Sequence, residues 1–366
     1  MSDKTSRQDL LAFDEAAFMR RVPHAQQRLN VHGAYIARVP PGDHRLDAIP
    51  PGQLARHGLL LRRPDEPHLR AGWDKVFGRT WREQDRVMPR LVPASRLAGR
   101  VGRMITNRNY TDNNWSGAAH GGIGTGGSWT TVVAIWNVPT VSQPSEPPGT
   151  ESTGWQSVSW VGIDGYNGYS YDVLQVGVEH WVDLTGTPYY NAWVEWFVPP
   201  PDPSTLPPGT PVDMFGYPEA WVGTDGLYPY IYPYYLNELT LHAGDQVSCT
   251  AQYTSDNTAG TLTFANLTTG QYVPPITFAP PPGAGFNGNS AEWILEAPGG
   301  GEPGSSLPAF TPITFTWAAG CPASIAGAEP PFAVPGNSDT LQIAGNGKTL
   351  TSVTVDGGTC TISFTG

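Results

Sequence analysis

Residues 171–198 read YDVLQVGVEHWVDLTGTPYYNAWVEWFV. Apolar side chains alternate with other residues on both sides of a Thr-, Gly- and Pro-containing break. Because successive side chains of a β-strand point to opposite faces, this period of two predicts strands over 171–184 and 189–198. The two strands set the pattern for the rest of the chain beyond residue 109.

Short β-branched and aromatic runs continue on both sides of this stretch, and Gly, Pro, Asn and Ser separate them. Such punctuation is typical of a sandwich or barrel. We predict further strands over 128–138, 156–164, 235–242, 246–254, 260–267, 271–278, 290–296, 311–318 and 349–364. Many short strands without intervening helices predict an all-β fold of two packed antiparallel sheets.

The basic residues are concentrated at one end of the chain. Residues 1–108 hold 20 Lys and Arg against 11 acidic side chains, about +9, and the remainder holds 1 against 21, about −20. Opposite charge on two regions predicts that the first covers the second. We therefore divide the chain into a basic pro-segment or inhibitory region, 1–108, and a β-sandwich domain, 109–366. The alternative is a disordered basic arm that contacts nothing in particular.

The acidic region also carries a prediction about pH. Acid unfolding mostly reflects the loss of carboxylates that are paired in the native state, and a region with one Lys and no Arg has few such pairs. Its self-repulsion is weakest at low pH, so we expect a domain that works in acid. Within it, the Pro- and Tyr-rich insert 199–235 is too long for a hairpin loop, and we consider a lid, a binding rim or a rigid loop.

The basic region is expected to be partly helical. Residues 8–21 have apolar side chains at helical spacing, and 81–91 is a weaker case that Pro89 interrupts. Residues 1–21 lack the basic-then-apolar pattern of a secretory signal. We nevertheless expect an extracellular protein, by a signal lost upstream or by another route, and keep an intracellular location as the alternative.

The three cysteines, Cys249, Cys321 and Cys360, are far apart and have no paired spacing or adjacent His. We therefore predict no metal site and no cofactor. A Cys321–Cys360 disulfide with Cys249 as a buried thiol is one interpretation. Three reduced core cysteines are the other.

The strand periodicity places polar side chains among aromatic ones. Gln175 shares a face with Glu179 and Trp181, and Asn191 and Glu195 share one with Trp193. Glu292 lies on the face opposite Trp293. Polar groups interleaved with Trp favour a groove lined for a ligand, although a face in contact with water is the competing interpretation.

No motif for a Ser or Cys nucleophile, a zinc peptidase or a phosphate-binding loop is present. Carboxylate and amide chemistry remains. A carboxylate in a partly desolvated groove can take a proton from water and return it to a leaving amine. A side-chain amide can stabilise an oxyanion, which is worth about 3–4 kcal/mol when the donor is pre-positioned.

Seven segments resemble, in order, the motifs of the glutamic peptidases, the eqolisin family, over roughly residues 110–318. They are NNWSGA (113–118), SWVGIDGYN (159–167), LQVGVE (174–179), NAWVEW (191–196), AGD (243–245), NLTTGQ (266–271) and NSAEWILE (289–296). With its basic N-terminal pro-segment, the chain resembles a bacterial-type member. The resemblance implies a concanavalin A-like β-sandwich of two bent antiparallel sheets and an acid endopeptidase that pepstatin does not inhibit.

The resemblance implies a catalytic dyad of Gln175 and Glu292, with Glu292 activating water as general base and acid and Gln175 stabilising the oxyanion. It also implies a group of residues that bind substrate or brace the cleft: Trp115, Trp160, Asp164, Asn191, Trp193 and Glu195. Fungal members commonly have Asp where Asn191 stands and Tyr where Phe197 stands. The implied partners are polypeptide substrates and the chain's own pro-segment. We expect a monomer that binds neither nucleic acid nor a membrane.

A glycan-active hydrolase or a lectin-like module is the alternative, because the same sandwich hosts both. A retaining glycosidase needs two carboxyls roughly 5 Å apart. Glu292 and Glu296 are about 13 Å apart along one strand at ~3.3 Å per residue. The pair Glu292 and Glu195 remains open on sequence grounds.

Overall fold

The computed structural model describes residues 14–54, 57, 59, 63, 67–94, 96–97, 114–121, 129–145, 154–166, 172–200, 204, 206–212, 218, 233–254, 258–281, 284–298, 306–322, 338–345 and 347–366. The helices are α1 Glu15–Arg21, α2 Pro51–Leu54 and α3 Pro67–Phe77. Most of the Pro- and Tyr-rich insert 199–235, considered above as a lid, a binding rim or a rigid loop, lies outside the described residues.

The strands are numbered in chain order. They are β1 Ala25–Arg28, β2 Ala34–Ala37, β3 Leu91–Pro93, β4 Trp115–Gly121, β5 Trp129–Asn137, β6 Val141–Ser142, β7 Trp155–Ile163, β8 Val173–Val182, β9 Pro188–Phe197, β10 Tyr234–Leu236, β11 Gln246–Tyr253, β12 Gly260–Asn266, β13 Tyr272–Phe278, β14 Ser290–Glu296, β15 Ala309–Phe310, β16 Ile313–Pro322, β17 Ser338–Leu341, β18 Ala344–Gly345, β19 Lys348–Thr349, β20 Thr351–Asp356 and β21 Thr359–Phe364.

The strands form two large antiparallel sheets, as the sequence predicted. Within the part of the chain that the structure describes, sheet 1 has nine strands in the order β1-β2-β13-β12-β11-β5-β16-β21-β20. Sheet 2, counted over the same described residues, has eight strands in the order β17-β4-β14-β7-β8-β9-β10-β3. β6 with β15 and β18 with β19 form two small ribbons. The all-β sandwich is therefore confirmed.

The main core lies between the two sheets. Trp293 of β14 donates its indole N–H to the carbonyl of Val133 in β5 at 3.0 Å, and Trp136 of β5 donates to Ser159 Oγ of β7 at 3.0 Å. The fully buried side chains of this layer include Trp136, Leu174, Val176, Val247, Ile276, Trp293 and Leu295. These are the apolar positions of the period-two pattern. The alternate positions of sheet 2 must therefore face away from sheet 1.

Several strands were not predicted, and two predicted strands differ. The unpredicted strands include β1, β2, β3, β4, β6, β15, β17 and β18. β4 has the sequence WSGAAHG, whose small residues have little β propensity, and β17 is a short edge strand. The predicted strand 235–242 is limited to Tyr234–Leu236. The predicted strand 349–364 is mainly the antiparallel pair β20 and β21, because Gly357 takes a left-handed φ of 56° at the turn.

The helical predictions for the basic region were partly right. α1 falls within the predicted 8–21, and residues 1–13 lie outside the described part of the chain. The predicted helix 81–91 is wrong, because it contains a single 3-10 turn, Glu83–Asp85, before β3 begins. α3 was not predicted, although Trp73 and Phe77 repeat at helical spacing and Pro67 begins it.

The predicted Cys321–Cys360 disulfide does not form. Cys249 and Cys360 are both free, buried thiols. Cys360 of β21 lies opposite Phe315 of β16, and Cys321 lies six residues further along β16. Six residues at about 3.3 Å each far exceed the ~7 Å Cα separation that a disulfide tolerates.

The basic region wraps around the sandwich. β1 and β2 extend sheet 1 beyond β13, α3 packs on the outer face of sheet 1, and β3 extends sheet 2 beyond β10. After β3, Ala94 and Leu97 join the apolar cluster on the outer face of sheet 2. Among the described residues, no helix is long and apolar enough to cross a membrane.

Candidate active site

Four residues form a row across the outer face of sheet 2. Glu292 of β14 lies opposite Gly162 of β7, Gly162 lies opposite Gln175 of β8, and Gln175 lies opposite Glu195 of β9. Cross-strand partners point to the same side of a sheet. We call Glu292, Gly162, Gln175 and Glu195 the polar row. It faces away from sheet 1, because Trp293, next to Glu292, points into the inter-sheet core.

Gly162 leaves the space between Glu292 and Gln175 without a side chain of its own. The two residues are two strands apart, about 9–10 Å between Cα atoms at the usual strand spacing. A Cβ on Gly162 would lie 2.8 Å from Cζ3 of Trp160 and 3.3 Å from Cγ1 of Val173. The indole of Trp160 therefore packs tightly against this position, and glycine is the residue that allows it.

Glu292 is completely buried, and its carboxyl oxygens have no hydrogen-bond partner among the described residues. Burial raises the pKa of Glu292 well above its ordinary value. The Ser290 hydroxyl lies close enough to oppose this shift but does not meet hydrogen-bond geometry with either carboxyl oxygen. A buried carboxyl that lacks partners is costly to keep and uncommon in stable cores. The arrangement leaves both oxygens available for water or a ligand.

Gln175 is oriented by Glu195. The Gln175 side-chain amide donates from Nε2 to Glu195 Oε2 at 2.7 Å, and both residues are buried. Burial raises the pKa of Glu195 well above its ordinary value, and the charge of Glu296 raises it further. One N–H of Gln175 is used in this bond, and Oε1 has no partner among the described residues. The second N–H and Oε1 remain for a ligand.

Tryptophans form the floor of the same face. Trp115 and Trp160 meet edge to face with ring centroids 4.8 Å apart, and the indole of Trp160 donates to Glu296 Oε2 at 3.1 Å. Trp193 and Ile294 are fully buried in the same cluster. The tryptophans exclude water around the polar row, which strengthens every electrostatic interaction made there.

A second polar group lies at the other end of β8. Glu179, four residues beyond Gln175 on the same face, is buried and accepts hydrogen bonds from the side-chain amides of Gln156 and Asn191. Arg96 of the basic region binds the same carboxylate at 3.3 and 3.4 Å. Its guanidinium also lies 4.4 Å from the ring centroid of Trp181. This contact brings the basic region onto the face that carries the polar row.

Asp164 lies at the end of β7, outside the polar row. It takes a left-handed φ of 72° and accepts hydrogen bonds from the backbone N–H groups of Gly288 and Asn289 and from the Tyr253 hydroxyl. Gly288 and Asn289 lead directly into β14. Asp164 therefore fixes the chain that precedes Glu292.

Asp172 supports the same segment from the start of β8. It is buried and accepts from the Trp196 indole at 3.0 Å and from the backbone N–H of Gly285 at 3.2 Å. Burial, with the charge of Asp164, raises the pKa of Asp172 to about 6. Asp172 joins the ends of β8 and β9 to the segment before β14, so it links all three strands that carry the polar side chains of the row.

The structure brings most of the predicted site residues together on one face. Glu292, Gln175 and Glu195 share the polar row, Trp115, Trp160 and Trp193 form the apolar floor, and Asn191 reaches Glu179. Asp164 acts from the end of its strand. Glu179 and Asp172 were not predicted as site residues, although the period of two had placed Glu179 on the face of Gln175. Among the described residues, no group of His, Cys, Asp and Glu could hold a metal ion.

Several solved structures resemble the chain. Scytalido-glutamic peptidase with a peptide-based transition-state analogue is 24% identical, covers 69% of this chain and 99% of its own, and has a TM-score of 0.48. SCP-B, a member of the eqolisin family in complex with the tripeptide Ala-Ile-His, is 24% identical over the same shares, with a TM-score of 0.46. Aspergilloglutamic peptidase from Aspergillus niger is 29% identical, covers 58% of this chain and 99% of its own, and has a TM-score of 0.40.

A search among curated proteins gave no match. The model of the Peptidase A4 family, in contrast, matches residues 113–364, more than half of the chain. The match confirms the resemblance that the sequence motifs indicated. The chain therefore belongs to the peptidase A4 family, the eqolisins, and is a glutamic endopeptidase.

Proposed function

We propose that Glu292 and Gln175 are the catalytic dyad of this endopeptidase, and that it works in acid on polypeptide substrates. The observation that carries the proposal is the polar row. A buried carboxyl without hydrogen-bond partners faces a buried amide across a glycine, on a face lined with tryptophan. Few arrangements other than a reaction centre account for an unpartnered carboxyl in that place.

Glu292 acts first as general base. It takes a proton from a water molecule while the water oxygen attacks the carbonyl carbon of the peptide bond, which gives a tetrahedral intermediate with a negatively charged oxygen. The same proton then passes from Glu292 to the leaving nitrogen as the carbon–nitrogen bond breaks. Glu292 returns to its ionised form, so one carboxyl completes the cycle.

Gln175 orients the water and stabilises the intermediate. Its Oε1 accepts a hydrogen bond from the attacking water, and the second hydrogen of Nε2 is donated to the developing oxyanion. Glu195 holds the amide in this orientation through the bond from Nε2 at 2.7 Å. A fixed donor in a dry site stabilises a developing charge without reorganisation during the reaction.

The basic N-terminal region acts as an inhibitory cover in this proposal. Arg96 binds Glu179, and Leu97 is buried in the apolar cluster around Trp160 and Trp193. Peptide substrate must occupy the same face to reach the polar row. Burial also disfavours the ionised form of Glu292 that the first step needs. Release of Arg96 and Leu97 would open the face and admit water. We further propose that the protein works outside the cell as a monomer.

The test is proteolysis in acid by the full-length chain. Wild type is incubated with denatured casein at pH 3–4, next to Glu292→Gln and Gln175→Ala. Glu292→Gln should abolish cleavage, because the amide cannot take up the proton of water. Gln175→Ala should lower kcat by about 10²–10³, the usual loss for one oxyanion donor.

A matched control and two further measurements complete the test. Glu238→Gln changes an exposed carboxylate of sheet 2's periphery and should leave turnover unchanged. Pepstatin should not inhibit, because no pair of aspartates carries the reaction. Near-wild-type turnover by either dyad variant, or cleavage of β-glucan in place of casein, would show that the proposed dyad is wrong.

A further inference from the structure

Residues 14–94 of the basic region contact the sandwich through shared sheets and apolar clusters, which differ in kind from the Arg96–Glu179 ion pair. We infer that residues 14–94 remain bound to the sandwich after the chain is cut between 98 and 113, so that the active enzyme consists of two chains. The inference rests on the proposed function for the cut itself. It means that activation removes Arg96 and Leu97 from the active face without removing the rest of the region.

The first contact is a shared sheet. Ala34, Tyr35 and Ile36 of β2 pair with Phe278, Thr277 and Ile276 of β13, and Ala279 donates its backbone N–H to the carbonyl of Gly33 at 2.8 Å. Phe18 of α1 and Tyr35 are buried with Ala259 and Ala279 of the sandwich. Removing β1 and β2 would uncover the edge of β13, whose free backbone groups favour pairing with another chain.

The second contact is an apolar layer on the outer face of sheet 1. Trp73 and Phe77 of α3 stack with ring centroids 4.6 Å apart and are 3% and 4% exposed. They share a buried cluster with Val133, Ile135 and Trp317 of β5 and β16. Three large hydrophobic residues of the sandwich would therefore meet water if α3 left. A soluble domain rarely exposes such a patch.

The third contact is made by the segment that joins α3 to β3. Trp81 packs on Tyr272 with ring centroids 4.9 Å apart, and both are buried. Val87 donates its backbone N–H to the carbonyl of Tyr272 at 2.8 Å, and Arg79 donates to the carbonyl of Leu267 at 3.0 Å. The chain from α3 to β3 is therefore held along β13 and the turn before it.

The fourth contact is the edge of sheet 2. Leu91, Val92 and Pro93 of β3 pair with β10. Asn30 donates to the carbonyl of Leu91 at 2.7 Å and accepts from its N–H at 2.9 Å. The Asn30 side chain therefore links the β1–β2 hairpin on sheet 1 to β3 on sheet 2. We expect the hairpin and β3 to dissociate from the sandwich together.

These contacts do not depend on carboxylate charge. Apolar burial and backbone hydrogen bonds persist at pH 3–4, whereas ion pairs with carboxylates weaken. Most ion pairs of the described arginines lie inside the basic region, such as Arg45–Asp47 and Arg63–Asp74. Arg96–Glu179 joins the two regions. The contacts that hold residues 14–94 are therefore of the kinds that persist in acid.

The experiment separates retention from activity. A recognition sequence for a site-specific protease is placed within residues 98–113 of full-length Glu292→Gln, which should not cut itself. The chain is cut at pH 7, and the sample is passed over a size-exclusion column at pH 7 and at pH 3.5. Denaturing mass spectrometry should show two chains, and the column should show one species near the 39.4 kDa of the intact protein at both pH values.

Separate elution of the N-terminal chain at pH 3.5 would overturn the inference. A second comparison tests the contacts themselves. Trp73→Ala with Phe77→Ala should release the cut chain at least ten times faster than the parent, and Met88→Ala, at an exposed position, should not. Equal release rates for the two variants would also overturn it. Unfolding midpoints of the uncut variants check that each is folded.

The outcome for wild type distinguishes this inference from the proposed function. If acid-treated wild type cleaves casein as a single trimmed chain with the N-terminal chain lost, the inference fails and the proposed function stands. If wild type does not cleave casein, the proposed function fails. The retention of the cut chain in the Glu292→Gln sample decides the inference in either case.

Discussion

Glu292 and Gln175 lie opposite the same residue, Gly162, from its two sides. The strand that separates them therefore contributes no side chain between the carboxyl and the amide. Trp160, two residues earlier on the same strand, fills the adjacent position. The pairing of three strands in a rigid sheet therefore sets the distance between the two reactive side chains.

Gly162→Ala should disrupt this arrangement. The new Cβ would meet the Trp160 ring at 2.8 Å, and a ring that is fully buried cannot move far. Overpacking of this kind typically costs about 1–3 kcal/mol of unfolding free energy. We expect kcat on casein to fall at least tenfold, with a lower urea midpoint. A variant with the stability and turnover of wild type would show that the gap at Gly162 has no role.

Glu195 should act by positioning Gln175. Glu195→Gln keeps an oxygen that can accept from Gln175 Nε2, so it should retain most of the wild-type kcat. Glu195→Ala leaves the amide free to rotate, and we expect kcat to fall by about 10-fold or more while KM changes little. Rescue by Gln but not by Ala is the signature of a positioning residue. Equal kcat values for the two variants would contradict it.

Asp172 should limit stability at neutral pH. Its folded-state pKa, about 6, lies above the unfolded value near 4. The folded protein therefore loses stability as pH rises from about 4 through 6, by up to about 3 kcal/mol. Asp172→Asn removes this titration, but one of the two donors that Asp172 accepts from loses its acceptor at any pH. We therefore expect the difference in unfolding free energy between pH 3.5 and pH 7.5 to shrink relative to wild type.

Asp164→Asn is the matched control for this prediction. The Asp164 carboxylate accepts from two backbone N–H groups as well as from Tyr253. An amide nitrogen in place of one oxygen leaves a buried donor unpaired, so the variant should be destabilised at both pH values. Urea unfolding at the two pH values measures both variants. An unchanged pH dependence in Asp172→Asn would contradict the assignment.

His180 should limit stability in acid. It is fully buried between the hydroxyls of Ser157 and Ser159, at 3.1 Å from each, and burial lowers its pKa to about 3. His180 takes up a proton near pH 6.5 in the unfolded chain but only near pH 3 in the folded protein. The free energy of unfolding is therefore unaffected by His180 above pH 6.5 and falls by up to about 5 kcal/mol as the pH drops toward 3. This loss opposes the acid adaptation that the charge distribution predicts.

His180→Gln should remove most of that loss. Glutamine retains hydrogen-bonding groups for the two hydroxyls and does not titrate. We expect the difference in unfolding free energy between pH 7 and pH 3.5 to shrink relative to wild type. Thermal or urea unfolding at both pH values provides the measurement. A variant whose pH dependence matches that of wild type would show that another group is responsible.

The sequence was sufficient to predict the strands that carry β-branched and aromatic residues. In β8 and β9, the period of two is strong enough to separate the two faces, and Gln175 and Glu195 were placed on the same face, as observed. β4 could not be predicted in this way, because Ser116, Gly117 and Ala118 carry no strand signal. The Asp-Gly-Gly turn at 356–358 was a hairpin signal that the single predicted strand 349–364 overlooked.

The sequence did not predict which residues lie opposite each other on neighbouring strands. That Glu292 and Gln175 flank one glycine depends on the register of three strands, and no local pattern sets that register. The Arg96–Glu179 pair joins residues 83 positions apart. The charge imbalance predicted that the basic region would meet the acidic one, but it did not indicate that apolar residues of α3 and a shared sheet edge would form most of the contact.

The most direct measurement is the mass of the chain before and after a shift from pH 7 to pH 3–4, in wild type and in Glu292→Gln. Wild type should be stable and inactive at pH 7. In acid it should cut itself near residues 100–113, which gives a product of about 255–265 residues, because carboxylates protonate near pH 4 while Lys and Arg remain charged. Glu292→Gln should remain full length. If Glu292→Gln is trimmed as quickly as wild type with no other protease present, or if full-length wild type is already fully active, the account is contradicted.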